Sequence, residues 1–455
     1  MIEELLRKGE VAVLGLGKSG RAAAQLLVKN RARVYASDAG SKREALEGAT
    51  ALSSHGIDAQ TGGHDLDRIA KASLVVVSPG IPPSAPPLLA ARSAGVPIIS
   101  EIELALAFLP NARIIAITGT NGKTTTTALI GHLLTSLGCD AATAGNIGTP
   151  LATFALRAKP PVWFALEVSS FQLHDTPSLA PRVGVLTNLT PDHLDRYASA
   201  EEYYADKARL FANASASSEW VWNGDSDRVR AMASPVAGHH STFALEANAD
   251  AWFDRKANQL MVAGSSLIQR EEFGLLGDHN VANALAASLA VMVGDAVHRT
   301  PHARSRIAAG LRSFRALAHR LEVVGEFNGV EWINDSKATN VDSARVAVAG
   351  MRRPTILLLG GRHKGEPYTS LAADIRSHVK TVLAYGEAAA LVEADLSGVV
   401  PVERLGSSFE TVISRARALA APGDAVLLSP ACSSYDMFDN YEMRGAEFRR
   451  LAASQ

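Results

Sequence analysis

Cysteine is nearly missing from this chain, with only Cys139 and Cys432 among 455 residues. Two thiols cannot make a disulfide framework, and their scarcity fits a reducing compartment. Net charge is nearly missing as well, at −1. The balance therefore gives no reason to expect nucleic acid or an anionic membrane as partner. No apolar run reaches the roughly 18 residues of a membrane span. The longest, ALAASLAVMV (284–293), predicts a buried helix instead. The first ten residues, MIEELLRKGE, mix acids and bases and lack the apolar core of a signal peptide. The expectation is a cytoplasmic protein with no membrane span. What is abundant is apolar: 47% hydrophobic against 20% charged, the balance of a globular chain. At this length one core does not suffice, and several domains are expected.

Three blocks follow one another. In the first, about 1–104, VAVLG (11–15), RVYASD (33–38) and LVVVSPG (74–80) are short apolar runs ending in polar residues or glycine. A helical pattern through Leu26 and Leu27 separates the first two. Strand, helix, strand is the pattern of a parallel doubly wound sheet. IPPSAPP (81–87) predicts a surface loop, because proline fixes φ and removes a donor. In the second block, about 105–313, RIIAI (113–117), VWFALE (162–167) and VGVLTN (183–188) predict buried strands. Residues 241–276, around AWFDRKANQLMV, alternate in short runs and predict a small antiparallel sheet. GDHNVANALAASLAVMVG (277–294) predicts a helix with its start. The third block, about 314–455, returns to the first style with TILLLGG (355–361), VKTVLAYG (379–386) and DAVLLSP (424–430). No solenoid period is found. The expected class is α/β in three domains: Rossmann-like, then a central P-loop ATPase-type domain with a small antiparallel sheet, then Rossmann-like again. Ligands of such sheets bind beyond the carboxyl ends of the strands.

The motifs sit where those ends fall. GLGKSG (15–20) fits G-x-G-x-x-G between a strand and a helix, which suits a diphosphate at a helix N-terminus or a plain tight turn. Asp38 ends the next strand, where a ribose- or base-binding carboxylate could sit. TGTNGKTTT (118–126) looks like a phosphate loop shortened by one residue, G-x-x-G-K-T. Gly119 and Gly122 permit the tight loop, Lys123 supplies a point charge, and the Thr124 hydroxyl suits Mg²⁺. The plainer alternative is a polar turn with Thr as a helix cap. Glu167 ends a strand near that loop and suits a metal; His193, in TPDHLD, falls on the same sheet edge. Asn280 and Asn283 share a helix face, fit for adenine, phosphate or capping. Arg320 offers a planar guanidinium to a phosphate. INDSKATN (333–340), GGRHKG (360–365) and SPACSSYDMFDNYEMRG (429–445) are three polar loops on one edge of the last sheet.

Taken in order, GTNGKTTT, EVSSFQL, TNLTPDHLDRY, GDHNVANALAA, the HR of ALAHR, NDSKATN and SPACSSYDMFDNYEMRG resemble the Mur ligases of peptidoglycan synthesis, over nearly the whole chain. The last two segments fit the branch that adds D-glutamate to UDP-N-acetylmuramoyl-L-alanine. The D-N-P-R segment of the meso-diaminopimelate-adding relatives is not found. The resemblance implies an ATP-dependent ligase working through an acyl phosphate, with two Mg²⁺ and a site on each domain. It implies that Lys18, Ser19, Asp38, Ser78, Gly80 and Asn146 touch the UDP-substrate. It assigns Gly119, Thr120, Asn121, Gly122, Lys123, Thr124 and Thr125, with Asn280, Asn283, Arg320, Asp335 and Lys337, to ATP. It makes Thr124, Glu167, His193 and a carbamylated Lys207 the Mg²⁺ ligands, with Lys123, Glu167, His193 and Lys207 catalytic. Thr339, Lys364, Ser434 and Tyr441 fall to the amino-acid substrate. A monomer is expected. Three rivals compete: another amide ligase such as a folylpolyglutamate synthase, an NAD-dependent dehydrogenase read from GLGKSG alone, and a non-catalytic nucleotide-binding switch. The SPACSSYDMF block argues against the first, and the phosphate loop with Glu167 against the second.

Overall fold

The computed structural model describes residues 2–41, 43–146, 148–192, 196–246 and 249–454. The predicted apolar runs become strands because each can be covered on both faces, as parallel sheets require. The strands are β1 (Glu10–Leu14), β2 (Arg33–Asp38), β3 (Asp58–Thr61), β4 (Leu74–Val77), β5 (Ile98–Ser100), β6 (Arg113–Thr118), β7 (Ala141–Gly145), β8 (Trp163–Glu167), β9 (Val183–Leu186), β10 (Glu219–Asn223), β11 (His239–Ala244), β12 (Ala251–Asp254), β13 (Gln259–Val262), β14 (Ser265–Gln269), β15 (Glu322–Phe327), β16 (Val330–Asn334), β17 (Thr355–Gly360), β18 (Val379–Tyr385), β19 (Val402–Arg404) and β20 (Ala425–Leu428).

Among the described residues they form three sheets. The first is parallel, in the order β3-β2-β1-β4-β5. The strand order reverses at β1, so the GLGKSG turn after β1 and the SPG turn after β4 flank one crevice. The second runs β14-β13-β12-β11-β10-β9-β6-β8-β7. Its parallel middle puts the loops after β6, β8 and β9 side by side. The expected antiparallel pair within 241–276 is β12 with β13. It extends the central sheet rather than standing apart, because β11 pairs in parallel with both β10 and β12. The third sheet runs β15-β16-β20-β17-β18-β19, with β16, β20 and β17 parallel. The three polar loops predicted for one edge therefore leave three adjacent strands.

The chain divides into two compact units. One holds residues 1–189, 201–268 and 283–311, with the first two sheets; the other holds 190–200, 269–282 and 312–455, with the third. In the second unit the β17–β20 core packs Leu357, Leu359, Val382 and Leu427 on one face and Ile356, Leu358, Val426 and Phe448 on the other. Among the described residues no helix is long and apolar enough to cross a membrane.

Candidate functional site

The shortened phosphate loop is shaped by two glycines and one asparagine. Gly122 caps the helix Lys123–Ser136 in the left-handed region, at φ 80°. A Cβ there would lie 2.5 Å from Asn283 Oδ1. A Cβ on Gly119, at φ 142°, would run into Thr187 Oγ1. Only glycine fits both conformation and space. Asn188, at the end of the β9 strand region, clamps the loop from the next position in the sheet. Its carbonyl accepts from Thr120 N at 3.0 Å and its Oδ1 from Asn121 N at 2.8 Å, while its Nδ2 donates to Asn121 O at 3.0 Å. Thr187 Oγ1 adds a bond to Asn121 O at 2.7 Å. Thr120 and Asn121 thus spend their N–H groups on the loop's own shape. The first turn of the helix, from Lys123 through Thr125, presents N–H groups in the arrangement that binds anions. Lys123 Nζ donates to Gly119 O at 2.9 Å and Thr120 O at 2.6 Å.

Lys207 reaches the same loop from the helix Ala200–Ala208. Its side chain is 1% exposed, and Nζ donates to Gly119 O at 2.7 Å while lying 4.5 Å from the centre of the Tyr203 ring. The Tyr203 hydroxyl donates to Thr120 Oγ1 at 3.2 Å. Two lysines converge on one carbonyl oxygen. Glu167 ends β8 directly opposite Ile117 of β6, and is 1% exposed. Its Oε1 accepts from Asn146 Nδ2 at 3.2 Å, and its carbonyl from Asn146 N at 2.9 Å. The structure therefore joins a predicted UDP-substrate contact to a predicted metal ligand. His193 lies outside the described residues. Oxygen donors on Thr124 and Glu167 beside a phosphate loop have the chemistry of a Mg²⁺ site.

In the first sheet the GLGKSG turn is also steric. A Cβ on Gly20 would strike Gly15 O, and one on Gly15, at φ 92°, would lie 2.7 Å from Ser78 Oγ. Asp38 holds this turn: Oδ2 accepts from Leu16 N and Oδ1 from Gly40 N, both at 2.8 Å. Its carboxylate thus shapes the loop, as a bracing residue. Lys18 is exposed at the start of the helix Lys18–Lys29. With Arg21, Gln25, Gly148, Thr149 and Pro150 it lines a cleft of about 380 Å³. Ser19 follows Lys18 on the first turn, and Gly80 is exposed after β4.

In the second unit, Asp335 follows β16 at 6% exposure. Its Oδ2 accepts from Ser429 Oγ at 2.9 Å and its Oδ1 from Leu321 N at 3.2 Å. Burial pushes its pKa up to about 7, opposed mainly by the nearby Arg320 guanidinium. Lys337 Nζ stands 5.3 Å from the centre of the Tyr441 ring, so Tyr441 is brought to the aspartate–lysine segment. Lys364 Nζ donates to Thr339 Oγ1 at 3.5 Å. Ser434 is buried, and its carbonyl accepts from Met437 N and Phe438 N. Among the described residues no hydrogen bond joins it to Lys364 or Thr339. Asn280 and Asn283 share the helix Asp278–Gly294. Asn280 Nδ2 donates to Leu276 O at 2.7 Å, and Asn283 Oδ1 accepts from Thr126 Oγ1 at 3.2 Å.

Sequence reasoning missed Asn188, Tyr203 and Arg444. Asn188 was legible in principle as the polar end of a strand bordering the loop. Arg444 was not, since nothing in EMRG marks a buried cation. It is 1% exposed and donates to Ser336 Oγ, Ser336 O and Cys432 O, tying the loop after β16 to the loop after β20.

Three family models match the chain: a Mur ligase MurD-like N-terminal domain over residues 9–100, a Mur ligase middle domain over 117–291, and a Mur ligase glutamate ligase domain over 319–432. A UDP-N-acetylmuramoylalanine--D-glutamate ligase of Anaeromyxobacter dehalogenans is 41% identical, covering 99% of this chain and 98% of the relative. One from Acidobacterium capsulatum is 39% identical, covering 98% and 96%. Among solved structures, the UDP-N-acetylmuramate-alanine ligase MurC of Thermotoga maritima shares the fold with TM-score 0.64 at 18% identity, covering 98% of this chain and 100% of that one. The MurF ligase of Thermotoga maritima, solved with ADP, has TM-score 0.60 at 16% identity, covering 99% and 96%.

Proposed function

We propose a function for this chain from one premise: it belongs to the Mur ligase family. It is an ATP-dependent ligase that joins D-glutamate to UDP-N-acetylmuramoyl-L-alanine, a step in making peptidoglycan precursors. The observation that carries the reading is full-length similarity to ligases of that name, together with a phosphate loop on which Lys207 converges and beside which Glu167 ends a strand. The three parts 1–104, 105–313 and 314–455 divide the labour: UDP-substrate, ATP, and amino acid. The enzyme works in the cytoplasm as a monomer.

The substrate carboxylate and the ATP γ-phosphate repel, and the site's first task is to offset that. Lys123 exchanges its loop carbonyls for phosphate oxygens, and the first turn of its helix presents N–H groups to the transferring phosphoryl. Asn188 keeps the loop in shape, so no reorganisation falls due in the transition state. Thr124, Glu167, His193 and carbamylated Lys207 would hold two Mg²⁺ ions, which would supply charge neutralisation at the phosphates. Carbamylation of Lys207 by CO₂, with loss of a proton, leaves one Nζ–H to donate to Gly119 O and replaces one of two ammonium charges there by a carboxylate, which removes a like-charge contact. Asn280, Asn283, Arg320, Asp335 and Lys337 hold the nucleotide, and Lys18, Ser19, Asp38, Ser78, Gly80 and Asn146 the UDP-substrate. Lys364 and Thr339 hold a carboxylate of D-glutamate, with Ser434 and Tyr441 completing that pocket. The neutral amine of D-glutamate attacks the acyl carbon, and phosphate leaves.

Phosphate release tests this. With ATP, Mg²⁺ and UDP-N-acetylmuramoyl-L-alanine present, release should require D-glutamate and fail with L-alanine or meso-diaminopimelate. Release that ignores D-glutamate would favour the nucleotide switch.

A further inference from the structure

Glu101 is a buried carboxyl group that the phosphoryl chemistry leaves unused. It follows β5 directly and is 2% exposed. Its Oε1 accepts from the N–H of Ala152, at the start of the helix Leu151–Ala155. Its Oε2 is buried with no partner among the described residues. Pro150, which precedes that helix, gives no side-chain cap of its own. So the carboxyl group crosses from the edge of the first sheet to the turn that leaves β7 in the second.

That turn matters to the cleft. Its near end is closed by Gly145 N to Thr149 O at 3.2 Å and by Asn146 N to Glu167 O at 2.9 Å. Gly148, Thr149 and Pro150 line the cleft opposite Lys18 and Arg21. Its far end is held by Glu101. Glu101 has a fixed base to hold from. Ser100 N donates to Asp175 O at 2.7 Å, Ser100 Oγ pairs with Thr176 Oγ1 at 2.7 Å, and Glu103 Oε2 accepts from Ser178 N at 3.0 Å.

The surroundings favour the protonated acid. Burial pushes the Glu101 pKa up to about 7, with the Ala152 N–H opposing. Of the elements packed on its helix, Leu151–Ala155, β4 and β5 carry no charge. The helix Lys18–Lys29 carries three. Arg21 donates to Leu16 O, Lys29 to Leu156 O, and Lys18 is exposed on the cleft. Glu103, on Glu101's own helix, is held by Ser178.

We propose that Glu101 is a positioning residue for the UDP-substrate: its carboxyl group fixes the turn carrying Asn146, Gly148 and Thr149 at the cleft. The inference rests on the ligase reading above. It is tested by steady-state kinetics on Glu101→Leu and Glu101→Gln, with melting temperatures as a check on folding. Leucine removes the acceptor, so KM for UDP-N-acetylmuramoyl-L-alanine should rise about tenfold, the order expected for one buried hydrogen bond, while KM for ATP and D-glutamate stays within about twofold. Glutamine keeps the acceptor and mimics the protonated acid, so it should match wild type at pH 6.5. Glu101→Asp keeps the carboxyl group but draws it back by one methylene from Ala152 N–H, so it should raise the same KM severalfold and leave the other two unchanged. This second comparison decides the matter if the leucine variant fails to fold. An unchanged UDP-substrate KM in a folded leucine variant or in Glu101→Asp would overturn the positioning role alone. Wild-type enzyme lacking D-glutamate-dependent turnover would overturn the ligase reading and the inference together.

Discussion

Replacing Gly122 by alanine should injure the enzyme twice over, and the size of each injury can be worked out. Alanine at φ 80° costs about 1 kcal/mol of backbone strain, because its Cβ crowds the following carbonyl. The new Cβ also lies 2.5 Å from Asn283 Oδ1, far inside the roughly 3.5 Å at which such atoms attract. Asn283 must turn away, and its 3.2 Å bond from Thr126 Oγ1 is lost, for about 1 kcal/mol more. The sum of about 2 kcal/mol should lower the melting temperature by roughly 4 °C in a domain of this size. Function should suffer more than stability. Asn283 leaves its place and the first-turn N–H groups tilt, and one misplaced donor costs on the order of a hundredfold in turnover. Melting curves and phosphate release at varied ATP read both effects. Asn283→Ala should relieve the overlap, so the double variant should be about 1 kcal/mol more stable than the two single losses added together. Strict additivity, or a Gly122→Ala enzyme with wild-type melting and ATP KM, would refute the reasoning.

Four further outcomes follow from the same structure. Lys207 should carry an added carboxyl group, visible as extra density on Nζ in crystals grown with bicarbonate; Lys207→Ala should lose most turnover, and a fully active enzyme with a plain ammonium would remove that role. Lys364→Ala should raise KM for D-glutamate on the order of 10- to 100-fold, as loss of one charged hydrogen bond does, with ATP KM nearly unchanged; equal D-glutamate affinity would sink the assignment. Asp335 binds a proton more tightly folded than unfolded, so stability should fall as pH rises from about 4 through about 7. At 1.36 kcal/mol per pH unit that amounts to about 4 kcal/mol at most, and Asp335→Asn should flatten that part of the melting-temperature curve. Asn188→Ala removes both side-chain bonds to Asn121, leaves the Thr120 N–H on the backbone carbonyl, and should cost kcat more than UDP-substrate KM; wild-type kcat would show that the side-chain clamp is dispensable.

The local pattern alone reached far into this molecule. Apolar runs bounded by glycine and polar residues marked β1, β2, β4, β6, β8, β9, β17, β18 and β20, since a strand buried on both faces must be apolar along its length. Gly119, Gly122 and Lys123 announced a phosphate loop because few other loops want two glycines and a lysine between strand and helix. Sequence could not say how the pieces meet. The merging of 241–276 into the central sheet depends on the parallel pairing of β11, a contact between residues distant in the chain. Asn188 clamps a loop 67 positions away, and Arg444 braces one 108 away. Asp38, Glu101 and Asp335 are ordinary acids in sequence, and become a loop brace, a buried latch and a group whose pKa burial raises, through what surrounds them. The sequence by itself determined which residues could carry phosphate and carboxylate chemistry, because that follows from residue type and spacing. Tertiary structure decided which of them are left exposed and which hold their neighbours in place, because burial and hydrogen-bond partners exist only once distant segments pack.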